Sequence, residues 1–119
     1  MIAADGLIGK MGEMVLNDAK EIPLHAHLFD KDALIFKKLE SREASLSHRK
    51  RGPIVKLEFE DFDYLGIWAK PGAPFVCLEP WLGIADSVDH SGILAEKEGI
   101  RKLAPGETET KTFRIRIEE

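Results

Sequence analysis

One glutamate stands out among the residues that could do chemistry. Glu79 follows four apolar residues, 75–78, and is followed by Pro80 and Trp81. An apolar run of this length is typical of a buried strand, so a carboxylate at its end lies beside an apolar wall. Such a carboxylate loses part of its hydration, which is costly unless it has a hydrogen-bond or ion-pair partner or serves a function. Glu79 is therefore a candidate general base.

Two tryptophans lie on either side of this glutamate in the sequence. Trp68 and Trp81 are the two tryptophans of the chain. The flat sides of a sugar ring present C–H groups, for which an indole offers an apolar face. Tryptophans are more often core residues than ligand platforms, so plain packing is the alternative interpretation. Together with Glu79, the two side chains indicate a site for a sugar.

Three functions fit the stretch 64–89. The first is proton transfer on a sugar, with Glu79 as the base. The second is glycosidase chemistry by a carboxylate pair, Glu79 with Asp86 or Asp89, which requires a defined separation between the two carboxyl groups. The third is a non-catalytic carbohydrate-binding surface, on which tryptophans stack against the sugar and carboxylates accept hydrogen bonds from its hydroxyls.

Other polar residues are weaker candidates. Asp32 precedes the apolar segment 33–36, where it either caps a turn or binds a ligand hydroxyl. His25 and His27 would share one face of an extended segment, which allows a metal pair, but no third ligand is near in sequence. A solvated or hydrogen-bonded pair is favoured. Cys77 has no adjacent base and is interpreted as a small buried hydrophobe.

The composition narrows the class of protein. The chain has 119 residues, enough for a single domain over 1–119, with residues 1–20 weakly patterned. Seventeen Lys and Arg against twenty-one Asp and Glu give a net charge of −4, which argues against a nucleic acid or an anionic membrane as partner. The single cysteine favours a reducing compartment. With no membrane-length apolar stretch and no signal-peptide pattern, we expect a cytoplasmic protein.

Short strands are the elements that must position these residues. Apolar runs and alternating patterns predict about seven strands separated by turns, with no long amphipathic helix. We expect Pro80 to end its strand, because proline has no N–H to donate. This pattern is typical of an all-β sandwich or part of one. The predicted strands are 33–36, 43–48, 54–59, 64–68, 75–79, 100–103 and 112–117.

Several segments together resemble a known family. PFVCLEPWLGIADSVD, preceded by YLGIWAKPGA, resembles the aldose 1-epimerase (mutarotase) superfamily, in its lactose-operon X protein branch. FDKDALIF upstream and KEGIRKLAPGETETKTFRIRI downstream fit the same branch, so the resemblance runs from about Pro23 to the C-terminus. It implies a β-sandwich that forms the C-terminal part of a galactose-mutarotase-like supersandwich. It also implies an isomerase that interconverts the α and β anomers of an aldose without a metal or other cofactor.

The resemblance also implies roles for individual residues. Glu79 falls on the base that removes the anomeric hydroxyl proton, and Asp32 falls on a substrate-binding aspartate. Trp81 and Asp86 match residues of this branch, and Trp68 is expected to stack on the sugar. In this mechanism a histidine protonates the ring oxygen, but none of the four histidines stands in the family's histidine motifs. These are His25, His27, His48 and His90.

The expected partner is an aldose, a hexose with or without a phosphate group. Family members are considerably longer than this chain, so we expect the acid to be absent from it. Half of a supersandwich leaves strand edges and apolar faces uncovered. We therefore expect self-association or a complementary N-terminal half. The alternative function is a non-catalytic carbohydrate-binding or structural fragment.

Overall fold

A computed structural model describes residue 8 and residues 20–118. Residues 20–118 contain six strands, one 3₁₀ turn at Leu94–Glu96 and no α-helix. The interpretation of 1–20 as weakly patterned lies outside the described residues, apart from Ile8 and Lys20. Ile8 is buried and forms a parallel bridge with Ser87. The strands are β1 (Leu34–Lys37), β2 (Glu43–His48), β3 (Gly52–Glu58), β4 (Tyr64–Trp68), β5 (Cys77–Trp81) and β6 (Arg114–Ile117).

The six strands form two antiparallel sheets of three strands each. One sheet has the order β1-β4-β5, and the other has the order β2-β3-β6. β2 and β3 form a hairpin across a basic turn that contains Arg49, Lys50 and Arg51, with an irregularity in register between Leu46 and Ser47. The predicted all-β class is confirmed, and the two sheets are consistent with a β-sandwich. In the part of the chain that the structure describes, no helix is long and apolar enough to cross a membrane.

A small core joins the two sheets. Its centre is Leu57, Phe59 and Leu65, of which Phe59 is the most buried at 1% exposure. Side chains alternate between the two faces of a strand, so Leu65 and Ile67 of β4 face this core while Gly66 and Trp68 point away. The outward face of the β1-β4-β5 sheet is thereby left to form a site. Partly buried residues around the core are Phe36, Leu39, Ala44, Phe62, Ile67 and Leu78.

Two details of the predicted strands are wrong. β5 begins at Cys77 and continues through Pro80 to Trp81, so the proline does not end the strand. Among the described residues, β5 pairs with β4 alone and is an edge strand, and an edge tolerates a residue without an N–H. The predicted strand 100–103 is absent, and its apolar residues Ile100 and Leu103 are exposed. Cys77 was expected to be buried, but it is only half-buried.

Candidate functional site

An open cleft of about 660 Å³ lies on the outward side of the β1-β4-β5 sheet. Four of the five predicted site residues line it, namely Asp32, Trp68, Glu79 and Trp81. The chemical character is therefore two carboxylates on a largely apolar and aromatic surface. The remaining lining residues are Ala33, Ile35, Phe62, Pro80, Leu82, Gly83, Ile84 and Ala85.

Strand alternation and register explain why these residues meet. Glu79 and Trp81 are two apart in β5 and therefore share one face. Across the β4–β5 ladder, Glu79 lies opposite Gly66, and Cys77 lies opposite Trp68. Trp68, Glu79 and Trp81 thus belong to the same face of one sheet. The common face of Glu79 and Trp81 follows from their spacing within β5. The position of Trp68 on that face follows from the pairing of β4 with β5.

The carboxylate of Glu79 is directly bonded to one of the tryptophans. The indole Nε1–H of Trp81 donates a hydrogen bond of 3.1 Å to Oε2 of Glu79. Both side chains are half-buried. Among the described residues, no other hydrogen bond or ion pair to the Glu79 carboxylate is present. Oε1 therefore remains available to a ligand hydroxyl.

Gly66 was missed in the sequence, yet it is part of this site. A Cβ atom at Gly66 would lie 2.7 Å from Cζ2 of Trp81, so the indole ring lies against the β4 backbone at this point. The signal for Gly66 was its place within a strand, where glycine is uncommon and marks a close approach. Trp68, at the other end of the same face, is braced by Phe75 in an edge-to-face contact of 6.2 Å.

Asp32 reaches the cleft from the turn before β1. Its backbone has a φ of 80°, a left-handed conformation that aspartate tolerates better than most residues. Its Oδ1 accepts a hydrogen bond of 2.7 Å from the backbone N–H of Ala33, and its own N–H donates to the carbonyl of Phe29. The turn role is thus observed. A role in binding stays a prediction, for which Oδ2 is the available oxygen.

Asp86 does not line the cleft, although its neighbour Ala85 does. Its carboxylate forms an ion pair of 2.9 Å with Lys97, and the hydrogen bond from Lys97 lowers the pKa of Asp86. Asp89 accepts a hydrogen bond from the hydroxyl of Ser87 at 2.5 Å. The glycosidase hypothesis paired these aspartates with Glu79, and the structure brings neither into the cleft with it. A binding role for Asp86 stays a prediction.

The histidines lie elsewhere. His27 Nδ1 is 2.8 Å from Oδ2 of Asp30, and the His27 backbone N–H donates to Nδ1 of His25. None of the four histidines is among the residues lining the cleft. Within residues 20–118 and Ile8, no group of three or more His, Cys, Asp or Glu is arranged to hold a metal ion.

Sequence comparison gives two relatives, both from Lactococcus lactis subsp. lactis. They are the plasmid and chromosomal forms of protein LacX, each 35% identical over 103 residues. The chain is related to LacX. The match covers 86% of this chain and 34% of each relative, so the chain spans about a third of the length of the curated relatives that it matches.

The other two comparisons add no relative. No protein-family model matches the chain. No solved structure gives a significant match. The predicted resemblance to the lactose-operon X protein branch is confirmed as a relationship to LacX, and an aldose 1-epimerase function is a proposal beyond it.

Proposed function

We propose that this chain supplies the general base and the sugar-binding surface of an aldose 1-epimerase. The observation that carries the proposal is the cleft in which Glu79 lies on one sheet face with Trp68 and Trp81. Indole rings cover the C–H face of a sugar, and a half-buried carboxylate accepts a proton from a hydroxyl. The resemblance of this chain's own motifs to the aldose 1-epimerase superfamily supports the same function.

In the proposed reaction, Glu79 takes the proton of the anomeric hydroxyl. The electron pair of that O–H bond forms the C1=O bond, the bond from C1 to the ring oxygen breaks, and an acid gives the ring oxygen a proton. The C1–C2 bond then rotates, and the same steps in reverse close the ring on the other face. Glu79 and the acid both return to their starting states, so nothing is consumed.

Asp32 binds the substrate in this proposal. Oδ1 of Asp32 is held by the N–H of Ala33, which orients the carboxylate and leaves Oδ2 for a sugar hydroxyl. The substrate is an aldose hexose, with or without a phosphate group. Trp68 and Trp81 supply the apolar surface that selects a ring with a flat C–H face.

The reaction also needs an acid that protonates the ring oxygen. No histidine lines the cleft in the described part of the chain, and the chain spans about a third of its LacX relatives. We propose that a complementary N-terminal half supplies the acid and covers the cleft. A positioned acid or base contributes about 10²–10⁴-fold to a rate. The isolated chain, with the base alone, is therefore expected to be slow or inactive.

A second function is favoured because no histidine of the described residues lines the cleft. A cleft with two tryptophans and two carboxylates can bind a sugar without converting it. In this case Glu79 and Asp32 accept hydrogen bonds from sugar hydroxyls and transfer no proton. Sugar binding with no turnover, in the presence of every polypeptide that the chain assembles with, would support this alternative.

Polarimetry tests the two functions. The mutarotation of freshly dissolved α-D-glucose and α-D-galactose is followed with and without the chain, and binding of both sugars is measured by NMR. A rate above buffer that Glu79→Gln abolishes at unchanged fold supports the epimerase. If a sugar binds but its mutarotation is no faster than in buffer, also after a complementary half is added, the chain is a binding module. If neither sugar binds nor reacts faster, both proposals for these sugars are wrong.

A further inference from the structure

We infer that Gly66 is a positioning residue, which sets the orientation of Glu79 through the indole ring of Trp81. The role of Gly66 in catalysis rests on the proposed function. Its effect on the positions of the Trp81 indole and the Glu79 carboxylate does not depend on that function. Gly66 contacts no reacting atom in this scheme. It acts by leaving a space on β4 that the indole occupies.

The close approach of the indole is what requires a glycine at this position. Gly66 is buried in the middle of β4 and lies directly opposite Glu79. Its φ is not among the positive values of the chain, so backbone conformation alone would allow a side chain. A Cβ would instead lie 2.7 Å from Cζ2 and 3.0 Å from Cε2 and Cη2 of Trp81. A shift of the ring is therefore unavoidable in any variant that keeps the strand.

The position of the ring determines which oxygen of Glu79 is held. Nε1 belongs to the same rigid indole that rests on Gly66, and it donates to Oε2 of Glu79. The bond fixes the carboxylate within the cleft and leaves Oε1 as the oxygen that accepts the anomeric proton. A Cβ at position 66 lifts the ring, moves Nε1 and releases the carboxylate. Gly66 of β4 therefore positions Trp81 of β5, and Trp81 positions Glu79 of the same strand.

An NMR experiment tests the geometry without any sugar. The chain has two tryptophans, so its spectrum shows two indole N–H signals, and Trp68 serves as an internal control. The Trp81 signal is assigned with Trp81→Phe, and Glu79→Gln shows where it moves when the carboxylate is lost. In Gly66→Ala, we expect the Trp81 signal to move and its hydrogen exchange to accelerate at least threefold, with the Trp68 signal unchanged. A Trp81 signal that stays in place overturns the inference.

A double-mutant cycle tests the functional consequence. The ring atoms that a Cβ would meet belong to the six-membered ring of the indole, and a phenylalanine at position 81 does not extend as far. Gly66→Ala and Trp81→Phe are each expected to weaken D-galactose binding or slow mutarotation about tenfold, as for loss of a hydrogen bond to a charged group. In the Trp81→Phe background, Gly66→Ala should add less than about twofold, because the two changes act through one contact. Additive losses overturn the inference.

The same variants separate a folding defect from a positioning defect. If Gly66→Ala fails to fold while the double variant folds, the indole is shown to be what excludes a side chain. If both fail to fold, the strand itself requires glycine and the inference is wrong. If all variants fold and the signals move as expected but no sugar binds, the positioning role survives and the proposed function does not.

Discussion

The indole N–H of Trp81 donates a hydrogen bond of 3.1 Å to Oε2 of Glu79, two residues earlier in the same edge strand. The aromatic surface and the carboxylate of the cleft are therefore coupled. A change to the tryptophan alters the position and hydration of the carboxylate as well as the apolar surface. Experiments on this site need variants that distinguish stacking from this hydrogen bond.

Trp68 offers the cleaner test of stacking, because no hydrogen bond links it to Glu79. We predict that Trp68→Ala weakens D-galactose binding by about tenfold, in line with the value of an aromatic contact. Phe75 braces Trp68 from the side and does not line the cleft, so Phe75→Leu should have a smaller effect. NMR titration measures both. Equal affinities for wild type and Trp68→Ala would show that the ring does not contact the sugar.

Two substitutions separate the turn role of Asp32 from its binding role. Alanine is strained at a φ of 80°, so we predict that Asp32→Ala lowers the free energy of unfolding by about 1–2 kcal/mol. Asparagine tolerates this conformation and keeps the acceptor for the Ala33 N–H, so Asp32→Asn should cost less than about 0.5 kcal/mol. Both should weaken sugar binding. Urea unfolding and NMR titration check this, and unchanged binding in Asp32→Asn would remove the carboxylate from the site.

Phe59 is the main stabilising side chain of the small core. It is 1% exposed and packs with Leu57 and Leu65 between the two sheets. We predict that Phe59→Ala lowers the free energy of unfolding by about 3–5 kcal/mol, while Phe59→Leu costs less because it leaves a smaller cavity. Urea unfolding followed by circular dichroism measures both. A loss below about 1 kcal/mol for Phe59→Ala would contradict the placement of the core.

A cluster of ion pairs joins Arg101 and Lys111 to Glu109 in the segment before β6. Hydrogen bonds from Arg101 and then Lys111 lower the pKa of Glu109 from 4.5 to about 2. Because this carboxyl has a lower pKa in the folded state, its stabilising contribution is present above pH 4.5 and is lost as pH falls toward 2. Glu109 is partly exposed, so the contribution is modest. Urea midpoints between pH 6 and 2.5 should fall less steeply in Glu109→Gln, and an unchanged slope would contradict the assignment.

Self-association is expected through the apolar side of β6. Ile115 and Ile117 are 60% and 73% exposed in a strand at the edge of its sheet. Edge strands with exposed apolar residues favour pairing with another chain. We predict concentration-dependent sedimentation, which Ile117→Lys reduces. Ile54 is an exposed isoleucine of β3, the central strand of the same sheet, and Ile54→Lys is the matched control. A wild-type chain that sediments as a monomer at all concentrations would contradict the prediction.

Strands could be predicted from the sequence where the pattern of apolar and polar side chains depends only on neighbouring residues. Alternation predicted the strand 43–48 with the observed bounds, because period-two burial is a property of neighbouring residues. The strand 64–68 was also predicted with the observed bounds. Pro80 was placed wrongly because its tolerance depends on β5 being an edge strand, which is a feature of the whole sheet. Residues 100–103 carry an apolar pattern but have no strand to pair with in the described part of the chain.

The sequence by itself determined that the chain is all-β and that Glu79 lies in a short strand with a tryptophan on either side along the chain, since both follow from spacing and composition. Because β5 continues through Pro80, against the prediction, the structure placed Glu79 and Trp81 on one face. Only the tertiary structure decided which residues surround that face. The β4–β5 register brought Gly66 and Trp68 to it, and the turn before β1 brought Asp32. The tertiary structure also placed Asp86 outside the cleft, in an ion pair with Lys97. Pairing between strands depends on the packing of the whole sheet, and for that reason the spacing of residues along the chain does not reveal it.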